Sequence, residues 1–174
     1  RLLLAPNKFG FTATPPKDPE GVLISEGIIG PIIGELSIHK ATELGILAKP
    51  KMIFKKALFG RALQNARTWP QAYKHGIVEN KHRNGQIVDT AIEYVKSGEP
   101  VLIFVVQIRH GELLQEMLQK KLNRKVEFVQ GGSKDKEEIQ EKMLKNRGRV
   151  VVATSTWFEG VDVPGLSAVI IADG

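Results

Sequence analysis

The sequence predicts an α/β fold built on a parallel sheet, and three features of its second half carry that expectation. Four short apolar runs stand along it: "PVLIFVV" from Pro100, "KVEFVQ" from Lys125, "RVVVAT" from Arg149 and "SAVIIAD" from Ser167. Stretches of helical spacing separate the first three. The first run is apolar throughout, as suits a strand buried on both faces of a parallel sheet.

The elements follow in order. Residues 1–48 run from "RLLLAP" through "KFGFTATPP" and the glycine-rich, aliphatic "EGIIGPIIGELS" to "IHKATELGIL". Pro15 and Pro16 must end any regular element there. "KPKMIFKKA" predicts a short strand with Met52 and Phe54 on one face and Lys51, Lys55 and Lys56 in water. From Leu58 to Gly98 the pattern is helical and polar; Ile87, Ala91, Ile92 and Val95 recur at helical spacing and Gly98 supplies the stop. After the Pro100 strand, Leu114, Met117, Leu118 and Leu122 share one face of an amphipathic helix with a basic end that suits its dipole. Ser133 is the expected N-cap of a further helix, with Asp135, Glu137 and Glu138 in its first turn, Ile139, Met143 and Leu144 inward, and Gly148 as its end. Short connections between such elements imply parallel strands, whose ligands gather at the carboxyl ends.

Bulk properties narrow the field. A chain of 174 residues, 42% hydrophobic, can enclose at least one sizeable core. Lys and Arg number 25 against 19 Asp and Glu, and the net charge of +6 favours polyanionic partners without specifying one. The absence of cysteine excludes a disulfide framework and thiolate zinc sites, and it fits a reducing, cytoplasmic setting. No apolar stretch approaches the roughly 18 residues of a membrane span. Arg1 in place of a methionine, followed by "LLLAP", leads us to expect a portion of a longer polypeptide.

The densest cluster of polar chemistry is "ATSTWFEGVDVPG", Ala153 to Gly165, directly after the Arg149 strand. Hydroxyls at the carboxyl end of an inner strand can hydrogen-bond phosphate oxygens, and Gly160 lets main chain approach a ligand. Asp162, held by Pro164, has a fixed direction suited to a sugar hydroxyl. The same residues would also serve as local backbone caps, Asp162 opening an Asx turn, and spacing alone leaves both readings open.

Other residues invite duller readings. His110 sits at a helix start, where capping or packing competes with a phosphate contact. His39, His75 and His82 form no nucleophilic triad, and no histidine pair has metal-ligand spacing with a third donor. Trp69 and Tyr73 fit a hydrophobic anchor better than a base-stacking platform. "KHRN", from Lys81, fits a solvated turn or a phosphate contact equally.

"TATPP", from Thr12, resembles motif III of the superfamily 2 helicases, and "ATSTWFEGVDVPGL" resembles their motif V. "PVLIFVVQIRHGELLQEML" is similar to motif IV with its following helix, "VQGGSKDKEEIQEKM" to the stretch between IV and V, and "GIVENKHRNGQIVDTAI" to the segment that introduces the second motor lobe. Order and spacing together make the resemblance specific, and it covers nearly the whole chain. Within this DEAD/DEAH-type superfamily the pattern is most similar to DNA helicases of the phage recombination and repair type.

The resemblance implies two RecA-like lobes that clamp ATP with Mg2+ and hold one strand, single-stranded or branched DNA, with RNA left open. It implies the tail of the first lobe with motif III in residues 1–48, an interlobe segment in 49–98, and the second RecA-like lobe, with motifs IV and V, in 99–174. Thr12 and Thr14 match the element that couples nucleotide to strand. Thr154 and Ser155 match positions on the phosphate backbone, Gly131 and Arg109 lie on the nucleic-acid side, and Gly160 and Asp162 face the nucleotide. The sequence holds no G-x-x-x-x-G-K-[ST] loop, no magnesium-binding Asp-Glu box and no arginine-bearing motif VI. Hydrolysis is therefore expected of a parent protein and not of these residues alone. A duplex translocase that does not unwind and a non-catalytic nucleic-acid-binding module are the rival readings.

Overall fold

The computed structural model describes residues 7–131, 149–154 and 165–173. The chain divides into two units, Arg1–Phe54 and Lys55–Gly174.

In the first unit, helix α1 spans Pro19–Ile28 and α2 spans Ile38–Glu43. Each begins at a side-chain cap: the Asp18 carboxylate accepts from Gly21 N–H at 2.7 Å, and Ser37 Oγ accepts from Lys40 N–H at 3.2 Å. Pro15 and Pro16 stand in irregular chain, as expected. The aliphatic residues that drew attention in the sequence do not build a core here. Ala41 is the one buried residue among those described, while Phe11 and Ile33 are almost fully exposed.

The strand expected in "KPKMIFKKA", residues 49–57, is absent. Residues 48–60 carry no regular element, and both Met52 and Phe54 are exposed. Two alternating apolar residues suffice for a strand only where a neighbouring strand can pair with them. The end of the segment, Lys55 to Leu58, is held by side chains of the later helix Lys81–Lys96. Lys55 Nζ donates to Thr90 Oγ1 at 2.6 Å, Gln86 Nε2 to the Lys56 carbonyl at 3.2 Å, and Leu58 N–H to His82 Nδ1 at 3.3 Å.

The helical texture from Leu58 to Gly98 resolves into α3 (Arg61–Gln64), α4 (Trp69–Tyr73), a π-helical stretch over Lys74–Val78 and α5 (Lys81–Lys96). Asn80 caps α5 by accepting from Arg83 N–H at 3.1 Å, and its amide donates to the carbonyls of Leu58 and Gly76. Gly98 ends the run in the left-handed region, with φ +77°, where a side chain would be strained.

Strands β1 (Val101–Val105), β2 (Glu127–Val129), β3 (Val150–Thr154) and β4 (Ala168–Ile171) form one sheet of order β2-β3-β1-β4, and every pairing is parallel. Helix α6 (Ile108–Leu122) connects β1 to β2. On one face of the sheet, Ile87, Val88 and Ala91 of α5 and Leu114 and Leu118 of α6 pack against Val101, Ile103, Val105, Val150 and Val152. Burial of each of these Val, Leu and Ile side chains contributes roughly 1.5–3 kcal/mol. On the other face Leu102, Val129, Val151 and Ala153 form a second buried group with Leu166 against them. The helix expected from Ser133 to Gly148 lies outside the described residues.

Candidate nucleic-acid interface at the carboxyl edge

Because the strands run parallel, their carboxyl ends share one edge, and the register sets the height of each. Val105 stands level with Thr154, Phe104 with Ile171, and Val129 with Ala153. The chain leaving each strand therefore emerges beside the others: Val106 and Gln107 after β1, Gln130 and Gly131 after β2, Thr154 at the end of β3, and Ala172 and Asp173 after β4.

Of the residues expected to meet a nucleic acid, Arg109 lies in the first turn of α6 and is exposed, with Nη1 3.4 Å from Glu112 Oε2. Gly131 is exposed just past β2. Thr154 ends β3 at this edge and is buried, with 6% of its surface exposed. Ser155, Gly160 and Asp162 lie outside the described residues. Thr12 and Thr14 are exposed residues of the first unit, where Thr14 N–H donates to Thr12 Oγ1 at 3.1 Å, a local turn.

The edge also holds a polar cluster that the sequence did not reveal. The Tyr73 hydroxyl donates to Asp173 Oδ1, Val106 N–H to Asp173 Oδ2, and Arg83 Nη1 to the Ala172 carbonyl. Fully buried His110 brings Nδ1 to 4.0 Å from Asp173 Oδ1. Its Nε2 lies 2.9 Å from Asn84 Oδ1, while Asn84 Nδ2 donates to the Val78 carbonyl at 2.8 Å. The Val78 carbonyl fixes which way the Asn84 amide faces, so His110 must carry its proton on Nε2.

Electrostatics follow from this packing. Burial pushes the His110 imidazole down to about 4; Asp173 opposes the shift and Arg83 adds to it. Burial, together with the hydrogen bond to Asp173, raises Tyr73 to about 12. Arg83 is lowered by burial and supported by the Asp173 charge. The cluster is thus one carboxylate, one guanidinium, a neutral imidazole and a neutral phenol.

The packing reading of His110 holds. "KHRN" is not a turn but the first turn of α5, with Arg83 directed at the sheet edge and Asn84 buried. The hydrophobic-anchor reading does not describe Trp69, which is 73% exposed and meets Tyr73 as a tilted ring at 6.2 Å, and Tyr73 is held instead by a polar contact, its hydroxyl on Asp173. Asp173 itself gave no signal beyond ending a strand, since its partners lie 63 to 100 positions away in sequence.

Among the described residues no three acidic or histidine side chains stand close enough to hold a metal ion, and no helix is long and apolar enough to cross a membrane. The described part of the edge carries the exposed Arg109 guanidinium and the exposed Gly131 beside the buried Asp173 cluster.

Comparison with known proteins places this arrangement. The solved structure of T4 UvsW superposes with a TM-score of 0.54 at 21% identity over 63% of this chain, which amounts to 22% of that one, and the likeness is one of fold. The Sulfolobus solfataricus SWI2/SNF2 ATPase C-terminal domain gives a TM-score of 0.47 at 21% identity, over 55% of this chain and 44% of that one. No curated protein sequence matches. The helicase conserved C-terminal domain matches residues 75–174, more than half of the chain, and it is to this family that the chain belongs.

Proposed function

We propose that this chain is part of an ATP-dependent DNA helicase or translocase, with residues 99–174 as its second RecA-like lobe, 49–98 as the interlobe segment and 1–48 as the tail of the first lobe. The observation that carries the reading is the all-parallel register, which sets Val106, Gly131 and Thr154 at one edge of a helicase C-terminal domain. In this reading Arg109 pairs with a phosphate, Gly131 offers main chain that a strand can approach closely, and Thr154 and Ser155 grip the sugar-phosphate chain. Such contacts position a strand without reading its sequence. Gly160 and Asp162 face the nucleotide, and Thr12 and Thr14 couple it to the strand. ATP and Mg2+ would be held chiefly by groups these residues do not include. Hydrolysis would open and close the lobes and shift the grip.

The test is binding of the 174-residue chain to single-stranded DNA of mixed sequence across a salt series. Weak affinity that falls steeply with salt is expected, because phosphate contacts dominate. Salt-insensitive or sequence-selective binding would overturn the reading. Unwinding of forked DNA by a polypeptide that joins this chain to a phosphate loop and an arginine motif separates a helicase from a duplex translocase.

A further inference from the structure

The end of β4 shows an interrupted ladder. Ala172 N–H donates to the Phe104 carbonyl at 2.9 Å, so in a continuing parallel pair the next bond would run from Val106 N–H to the Ala172 carbonyl. That carbonyl is taken by Arg83, and Val106 N–H turns to the Asp173 carboxylate. The side chain of Asp173 has replaced the main chain as acceptor. The strand pair stops there, and the chain after β1 is diverted into α6, where Arg109 stands two residues past Gln107. Asp173 is itself held by the Tyr73 hydroxyl, and its side chain is only 10% exposed.

We propose that Asp173 is a positioning residue for the nucleic-acid face: by binding the Val106 amide while anchored to Tyr73, it fixes the start of α6 and with it the place of Arg109 at the carboxyl edge. Resting on the nucleic-acid reading above, the inference adds a residue that touches no ligand. Simple charge predicts the opposite sign, since removing a carboxylate near a polyanion site should strengthen binding.

The experiment measures affinity of the 174-residue chain for labelled oligothymidylate over a salt series, for the wild type, Asp173→Asn, Arg109→Gln and the double variant, with thermal melts to confirm folding. Arg109→Gln should weaken binding roughly fivefold and lower the salt slope by about one phosphate contact. Asp173→Asn should weaken it to a similar degree, and the double variant should be no weaker than either alone. Folded Asp173→Asn that binds as well as or better than wild type, or losses that multiply in the double variant, would overturn the proposal. Should Asp173→Asn fail to fold, Tyr73→Phe takes its place in the cycle with an expected loss of roughly twofold, and multiplying losses again defeat the idea. If the wild type binds no DNA, the functional reading fails by itself. Amide exchange then decides the positioning: Val106 N–H should exchange about tenfold faster in the Asp173 or Tyr73 variant while Val151 N–H is unchanged, and equal protection would refute it.

Discussion

His110 Nδ1 and Asp173 Oδ1 face each other across 4.0 Å as two acceptors, because Asn84 holds the imidazole proton on the opposite nitrogen. No hydrogen bond can form between them while His110 is neutral. A proton on Nδ1 would pair with Asp173, yet burial keeps that proton off until the medium is well below neutral.

This arrangement makes stability depend on pH. The imidazole titrates near 6.5 in the unfolded chain and near 4 when folded, so between these values the unfolded state binds the extra proton. The contribution of His110 is complete above about 6.5, falls as pH drops towards about 4, and totals on the order of 3 kcal/mol. Denaturant midpoints from pH 7 to 4 should fall more steeply for wild type than for His110→Gln. Parallel curves would show that the imidazole titrates normally.

Tyr73 gives the alkaline counterpart. With its phenol raised to about 12 by burial and by Asp173, the neutral form is favoured in the folded state. Its contribution is intact below the ordinary value near 10 and is lost as pH climbs through the folded value. The tyrosinate absorbance that disappears in Tyr73→Phe should therefore arise late in the titration, and earlier in Asp173→Asn. An unchanged titration in the Asp173 variant would show that the two groups do not interact.

Gly111 is required by packing and not by backbone conformation. A β-carbon there would lie 2.3 Å from the ring of Phe128 on β2, which packs against the core. Gly111→Ala should cost about 1–3 kcal/mol despite the higher helix propensity of alanine. Chemical denaturation measures this, with Gly85→Ala, which meets nothing within 4 Å, as the control expected to be neutral or stabilising.

Asn80 fastens the segment before α3. Its loss removes the α5 cap and leaves the Leu58 and Gly76 carbonyls without this donor. Asn80→Ala should cost about 2 kcal/mol. Trypsin should also cut faster after Lys55 and Lys56, and an unchanged digestion rate would show that the segment is held by other contacts.

The sequence by itself determined the sheet. Continuous apolar runs at Pro100 and Arg149 can be satisfied only by burial on both faces, and the spacing of Leu114 and Leu118 commits α6 to cover one of them. Gly98 announced the end of α5 because few other residues tolerate its conformation. The gathering of the strand exits at one edge was legible for the same reason: a parallel sheet puts every strand's exit on one side.

Tertiary structure decided what periodicity cannot encode. Met52 and Phe54 alternate like a strand, yet among the described residues no strand pairs with them, and α5 side chains hold the backbone at Lys56 and Leu58. Thr154, expected on the phosphate backbone, stands level with Val105 at the end of β3 and is 6% exposed, a burial that its sequence neighbours do not encode. Tyr73, Arg83, His110 and Asp173 are scattered over a hundred positions, and each alone is an ordinary polar residue. Only the parallel pairing of β1 with β4, with α5 and α6 on one face, gathers them at one end of the sheet, where burial shifts the titration of Tyr73, Arg83 and His110.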